Sequence, residues 1–267
     1  MARNGIPPHS ARIYDYWLGG KDNFAADREV AEAMLRAVPD LRAMAAENRA
    51  FMHRVTRTLA ADEGIRQFLD IGTGLPTRPN LHEIAQHIAP ETRVVYVDND
   101  PIVLVHARAL MVSSRTGRAE YIAADLRHPD DILTDKDLQD ALDARQPVGL
   151  TLIAILMLLA DEDDPWQHVA RLRDAMPAGS LLAITHPTAD FNQDAVDEAV
   201  AAARTAGMTF VARSRDQVER FFGDWELLEP GLVPVSAWRP DKPVADPEAA
   251  YYWSGVARKP LTTCPSE

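Results

Sequence analysis

The sequence predicts a doubly wound α/β protein, a mostly parallel sheet with helices on both faces, preceded by a helical cap. Three observations predict it. From residue 66 onward, short apolar runs alternate with segments of helical period, the order that builds a parallel sheet. The stretch 148–156 is a near-continuous apolar run, as in a strand covered on both faces. The first strand runs into Phe68-Leu69-Asp70-Ile71-Gly72-Thr73-Gly74-Leu75-Pro76-Thr77 and then into a helix. Strand, glycine turn and helix together bring backbone N–H groups to a ligand at the carboxyl end of a sheet.

With 267 residues, 46% hydrophobic and 25% charged, the chain is long enough for one large unit. It divides into a cap or lid over 1–62, part of the same unit, a core over 63–260 and a tail over 261–267. Net charge is −12, split as +2 over residues 1–60 and −14 over the rest. An acidic body argues against a nucleic-acid partner, because phosphate binding needs a basic surface. The longest apolar run, 12 residues, is too short to span a bilayer. The first residues lack the apolar core of a signal peptide, so a cytoplasmic protein without membrane contact is expected. One cysteine, Cys264, excludes a disulfide framework and a cysteine metal site, and no metal is expected. The oligomeric state is left open.

In chain order, Pro7-Pro8 ends an irregular arm. Ser10 is placed to N-cap a short helix over 11–18, which Gly19-Gly20 stops. Tyr14, Tyr16, Trp17 and Phe24 lie there among Arg12, Asp15, Lys21, Asp22 and Asn23. That make-up suits either an arm pinned by its aromatics or a lid over a pocket. Residues 25–38 and 41–62 read as amphipathic helices, the first with Val30, Met34, Leu35 and Val38 on one face, the second with Met44, Phe51, Val55 and Leu59. Asp40 is placed to cap the second.

Strands follow at 66–71, 93–97, 119–123, 148–156 and 180–185. The helix over 80–89 presents Leu81, Ile84, Ala85 and Ile88. Asp100 and Pro101 open a helix running to about 113, with Val103, Leu104, Ala107 and Leu110 facing inward. The acidic stretch 130–143 reads as a solvated helix, Asp161–Asp164 as the start of a helix to 176, and 192–206 as a helix ended by Gly207. A short helix over 215–222 precedes two final strands, 225–228 and 251–257. Pro230, Pro234, Pro240, Pro243 and Pro247 stud the link between them, an ordered loop expected over one end of the sheet.

Three features fall at the carboxyl ends of successive strands. They are Asp70 with Gly72, Thr73 and Gly74; Asp98, 24 residues after Gly74, followed by Asn99; and Asp125 with Leu126. A carboxylate ending the second strand can accept from both hydroxyls of a ribose, and a polar group ending the third can reach an adenine amino group. The turn lacks the third glycine of a dinucleotide fingerprint, with Pro76-Thr77 in its place. Asp70 also puts negative charge where a pyrophosphate would lie, whereas it suits the ammonium of a methionine moiety. S-adenosylmethionine therefore fits better than NAD.

Residues 66–128, with FLDIGTGLPT, VVYVDND and IAADLR, resemble a class I S-adenosylmethionine-dependent methyltransferase. The wider set ARIYDYWLGGKDNF, FLDIGTGLPT, VVYVDNDPIVLVHARAL, THPTAD and GLVPVSAWRP covers nearly the whole chain. It resembles the actinobacterial S-adenosyl methyltransferase family, long classed as a domain of unknown function. The resemblance implies a Rossmann-like, seven-stranded sheet whose last strand is antiparallel, and an N-terminal segment that closes over the cofactor. It implies that Gly72 and Gly74 meet the methionine and ribose part, Asp98 the ribose hydroxyls, and Asp125 and Leu126 the adenine. The resemblance also implies a histidine in many relatives in the segment after strand four, where this chain reads Ile155-Leu156-Met157-Leu158-Leu159; if the family's choice at Met157 is that histidine, a base or substrate ligand is missing here.

The expected function is methyl transfer from S-adenosylmethionine to a small-molecule acceptor, apolar or aromatic, enclosed by the aromatic lid and the proline-rich loop. Such an in-line displacement needs near-attack positioning and, for some acceptors, removal of a proton. Candidate bases are His186, after strand five, then Tyr14 and Tyr16 with Asp15. The alternatives are a non-catalytic module that keeps the cofactor site as a sensor or scaffold, and, less favoured, an NAD-dependent oxidoreductase.

Overall fold

A computed structural model describes residues 6–110 and 113–261; side chains are described except over 106–112. Cys264 and the expected inward positions Ala107 and Leu110 lie outside the described residues or side chains. The chain begins with three helices, α1 (Ser10–Trp17), α2 (Ala25–Ala37) and α3 (Leu41–Ala61). His9, not Ser10, caps α1, its ring nitrogen accepting from the Ala11 N–H at 3.3 Å. Gly19 ends the helix at φ +81°, a conformation that costs glycine no steric clash. Asp40 stands at the N-cap of α3 without a side-chain capping bond.

The alternating region then supplies β1 (Gln67–Ile71), α4 (Leu81–Ile88), β2 (Arg93–Asp98), α5 (Pro101–Leu110) and β3 (Arg118–Ala123). The acidic stretch forms two short helices instead of one, α6 (Pro129–Leu133) and α7 (Lys136–Ala141). The break falls at Asp135, whose carboxylate caps α7 by accepting from the Asp137 and Leu138 N–H groups. Next come β4 (Gly149–Ile153), α8 (Pro165–Ala175), β5 (Leu181–Pro187), α9 (Gln193–Thr205) and α10 (Arg215–Glu219). The chain closes with β6 (Glu226–Leu227), β7 (Val233–Pro234) and β8 (Tyr252–Arg258).

The strand path is β3-β2-β1-β4-β5-β8-β6, with β1 to β5 mutually parallel and β8 antiparallel to β5 and β6. This is the expected Rossmann-like sheet with its antiparallel last strand. Among the described residues it holds eight strands where seven were expected, because the two-residue β7 also pairs with β8. Alternate strand residues feed two cores. Phe68, Val94, Tyr96, Leu181 and Ala183 pack with side chains of α1 to α4 and α9; Leu69, Val95, Leu150, Leu182 and Ile184 pack with those of α6 to α8 and α10. The initial helices thus complete one apolar layer of the sheet.

Strand four ends at Ile153, three residues earlier than its apolar run predicts. Ala154 takes φ +52° and turns the chain into a 3-10 segment, Leu156–Leu158, so the rest of the run is a loop with Leu156 and Met157 buried. Because β2 and β3 lie to one side of β1 and β4 and β5 to the other, the strand order reverses between β1 and β4. The crevice at such a reversal is where doubly wound sheets bind ligands.

Candidate functional site

A cavity of about 310 Å³ opens at the carboxyl ends of β1, β2 and β4, between them and the initial helices. Asp70, Gly72, Thr73, Gly74, Asp98, Asn99, Asp125 and Leu126 all line it, so the three separate sequence features share one wall.

The glycine turn depends on its conformation. Gly72 and Gly74 stand at φ +76° and +67°, and a Cβ at Gly72 would lie 2.4 Å from Ile155. At Gly74 the nearest atom to such a Cβ is the Ala11 methyl at 4.0 Å, leaving the backbone open to close approach. The Gly74 N–H donates to Asp98 Oδ2 at 2.8 Å, and the Asp100 N–H donates to Oδ1 at 2.9 Å. Each Asp98 oxygen keeps acceptor capacity toward the cavity. Burial raises the Asp98 pKa, and those two N–H groups oppose the rise.

Asp70 is a buried carboxyl on β1. The Thr151 hydroxyl on neighbouring β4 donates to its Oδ1 at 2.5 Å. Burial pushes its pKa up to about 6 against the pull of Thr151 and Arg49. Asp125 behaves otherwise. It accepts from the Arg127 N–H and guanidinium and from the Asn99 amide, all at 2.9 Å, and its pKa is held down. Its carboxylate is engaged by its own loop and by Asn99 past the end of β2, which itself lines the cavity.

The cap closes the other side through a chain of buried charge. Arg12 on α1 donates from Nε to Asp27 on α2 at 2.9 Å and from Nη1 to Asp100 at 2.8 Å, two residues past Asp98. Sequence reading noted Arg12 only by composition; its partners lie 15 and 88 residues away and leave no local pattern. Tyr14 lines the cavity, its hydroxyl donating to the Ala45 carbonyl and accepting from the Asn48 amide, both at 3.0 Å. The aromatic segment is therefore both pinned arm and pocket wall. Asn48 and Arg49 on α3, given no role from sequence, also line the cavity.

Two candidate bases lie elsewhere. Tyr16 is not among the cavity residues; its hydroxyl donates to Glu32 at 2.5 Å and Arg42 stacks on its ring. His186 is fully buried and also outside the lining. Its Nδ1 donates to the Pro187 carbonyl at 2.8 Å, and its Nε2 accepts from Arg213 at 2.9 Å. Burial and that guanidinium lower its pKa to about 3, so it stays neutral. Arg213 also holds the Leu156 and Leu159 carbonyls at 3.0 and 2.9 Å. His186 thus helps brace the loop after β4. Tyr14 remains in the cavity, but its hydroxyl is engaged and burial raises its pKa.

The proline-rich link is a further correction, since none of residues 230–247 lines the cavity. Trp238 from that link packs edge-on against Phe51 of α3, with ring centroids 5.4 Å apart, and Arg54 donates to the Val235 and Trp238 carbonyls. The apolar wall comes instead from Trp17, Met34, Met52, Leu158, Met208 and Phe210.

Comparison with known proteins supplies the last observations. Residues 4–260 match a family model described as S-adenosyl methyltransferase. A DUF574 family protein from Streptomyces avermitilis is 47% identical, with a TM-score of 0.92 over 95% of this chain and 98% of that one. A candidate methyltransferase from Thermobifida fusca YX is 40% identical, with a TM-score of 0.88 over 96% of each chain. The plantazolicin methyltransferase BpumL, at 12% identity and a TM-score of 0.51 over 94% of this chain and 96% of its own, shares the fold. No curated protein matches the chain.

Proposed function

The chain belongs to the S-adenosyl methyltransferase family, and from that premise we propose that it methylates a small, largely apolar acceptor held beneath the helical cap. The family's cofactor is S-adenosylmethionine, whose sulfonium supplies an electrophilic methyl group when bound. One observation carries the reading: a single cavity joins a polar wall of strand-end carboxylates and glycine backbone to an apolar wall from the cap and the 208–210 segment.

The residues fit that cofactor. Asp98 retains acceptor capacity for the ribose hydroxyls, and the open backbone at Gly74 permits close approach. Asp125, Leu126 and Asn99 stand at the adenine end, and Asp70, Gly72 and Thr73 toward the methionine end. Asp70 at a pKa of about 6 is largely ionised at neutral pH and suits an ammonium. The helix after the turn argues against a dinucleotide. Its N-cap Asn80 gives its backbone N–H to Glu83 Oε2 at 2.7 Å, so a carboxylate sits where a pyrophosphate would need free donors.

The chain's own contribution to the reaction is positioning and exclusion of water. Trp17, Met34, Met52, Met208 and Phe210 surround the acceptor with apolar surface, while the strand ends fix the other partner. With His186 sequestered and the Tyr14 hydroxyl engaged, neither serves as base. Acceptors that shed their proton readily, such as phenols or thiols, suit the site best. The engagement of His186 and Tyr14 also favours the second reading, a module that binds the cofactor without turnover.

The test measures thermal stabilisation and then turnover. S-adenosylhomocysteine is expected to raise the melting temperature where NAD does not. S-adenosylhomocysteine is also expected to form from S-adenosylmethionine when a panel of phenols and thiols is added. Binding without turnover across the panel would establish the non-catalytic reading; stabilisation by NAD alone would overturn both.

A further inference from the structure

Resting on the cofactor reading above, we propose that Asn48 and Arg49 of α3 form a clamp for the amino-acid end of the cofactor, Arg49 taking the carboxylate and Asn48 Oδ1 accepting from the ammonium.

Arg49 is half-buried at the cavity wall, with its hydrogen bonding incomplete. Its Nη2 donates to the Thr77 carbonyl and, at 3.0 Å, to the Pro79 carbonyl, the backbone that follows the glycine turn. Its Nε is buried with no hydrogen-bond partner among the described residues. Asp70 and Glu83 answer its charge at longer range. A buried guanidinium N–H that lacks a partner is costly, and an anionic carboxylate oxygen is the acceptor that matches its charge. The neighbouring helix N-terminus does not compete for an anion, since Asn80 and Glu83 of α4 cap each other. An anionic group at this end of the cavity therefore meets Arg49 first.

Asn48 is 1% exposed. Its orientation follows from its partner: the Tyr14 hydroxyl gives its proton to Ala45 and can only accept from the Asn48 amide nitrogen. That leaves Oδ1 as a buried acceptor with no donor among the described residues. Consecutive residues of one helix, both lining the cavity that holds Asp70, thus carry an unused buried donor and an unused buried acceptor. An α-amino acid zwitterion supplies the matching acceptor and donor on adjacent atoms.

Calorimetry with two ligands tests the clamp. S-adenosylhomocysteine carries the amino-acid end; 5′-methylthioadenosine keeps the adenosine and thioether and lacks it. Arg49→Gln is expected to weaken S-adenosylhomocysteine about 30-fold or more and Asn48→Leu about 5-fold or more, as for losing one charged and one neutral hydrogen bond. Both variants are expected to bind 5′-methylthioadenosine within about twofold of wild type, a margin too small to reflect a lost hydrogen bond. Arg49→Lys, which keeps the charge without the Nε–H, is expected to fall between Gln and wild type. Parallel losses for both ligands in all three variants, or unchanged S-adenosylhomocysteine affinity, would overturn the clamp. Wild-type protein that binds 5′-methylthioadenosine no more weakly than S-adenosylhomocysteine would overturn it too. Failure of wild type to bind either ligand would overturn the cofactor reading itself.

Discussion

Asp70 is the residue whose ionisation reports on the ligand. Burial holds its pKa at about 6 in the folded chain, against about 3.9 for an unfolded aspartate. A carboxyl raised on folding stabilises the native state in full below the unfolded value, and that contribution is lost as pH climbs through the folded one. A cation bound beside it works the other way, because it favours the ionised form. Affinity for S-adenosylhomocysteine is therefore expected to fall below pH 6, approaching about tenfold per pH unit, and Asp70→Asn is expected to remove most of that slope. A calorimetric series from pH 5 to 8 checks this, and equal slopes in the two proteins would contradict it. Asp70 was legible from sequence because a carboxylate in an apolar run before a glycine turn is a local conflict. His186 and Tyr16 misled for the complementary reason: both occupy plausible positions in sequence, but their partners Arg213 and Glu32 decide their surroundings from a distance.

At the scale of elements, the cap is held to the sheet by charge as well as apolar packing. Asp27 is fully buried, and Arg12 joins it to Asp100. Removing one partner of a buried ion pair costs about 3–5 kcal/mol, because the charge left behind loses its compensation. Arg12→Met is expected to destabilise the protein by that amount in urea unfolding, and to speed amide exchange in α1 and α2 ahead of β1 and β4. A loss below about 1 kcal/mol, the range of an exposed pair, would contradict the assignment. Helices and central strands were readable because period and apolar face repeat within each. The apolar stretch after β4 was not, since a buried loop and a buried strand share a composition and only the turn at Ala154 separates them. The proline-rich link was read correctly as a loop and wrongly as a pocket wall, because its docking through Trp238 and Arg54 depends on α3, some 180 residues earlier.

For the whole molecule, the doubly wound order brings residues from six regions to one crevice: the cap, the turn after β1, the end of β2, the loop after β3, the segment after β4 and the 208–210 segment. Among the described residues, no helix is long and apolar enough to cross a membrane. On the proposed reading, the family's adenosine-containing cofactor sits at that crevice, on the sheet reversal between β1 and β4 and the strand-end carboxylates. Asp98 lines the crevice, joined to the glycine turn through Gly74 and next to the cap's anchor at Asp100. The most direct measurement is calorimetric titration of S-adenosylhomocysteine into wild type and Asp98→Asn, a change that keeps shape and removes charge. The expected result is saturable binding by wild type, weakened at least about tenfold in the variant through loss of charge-assisted hydrogen bonds to the ribose. Equal affinity in the two proteins, or no binding by wild type, would contradict the account.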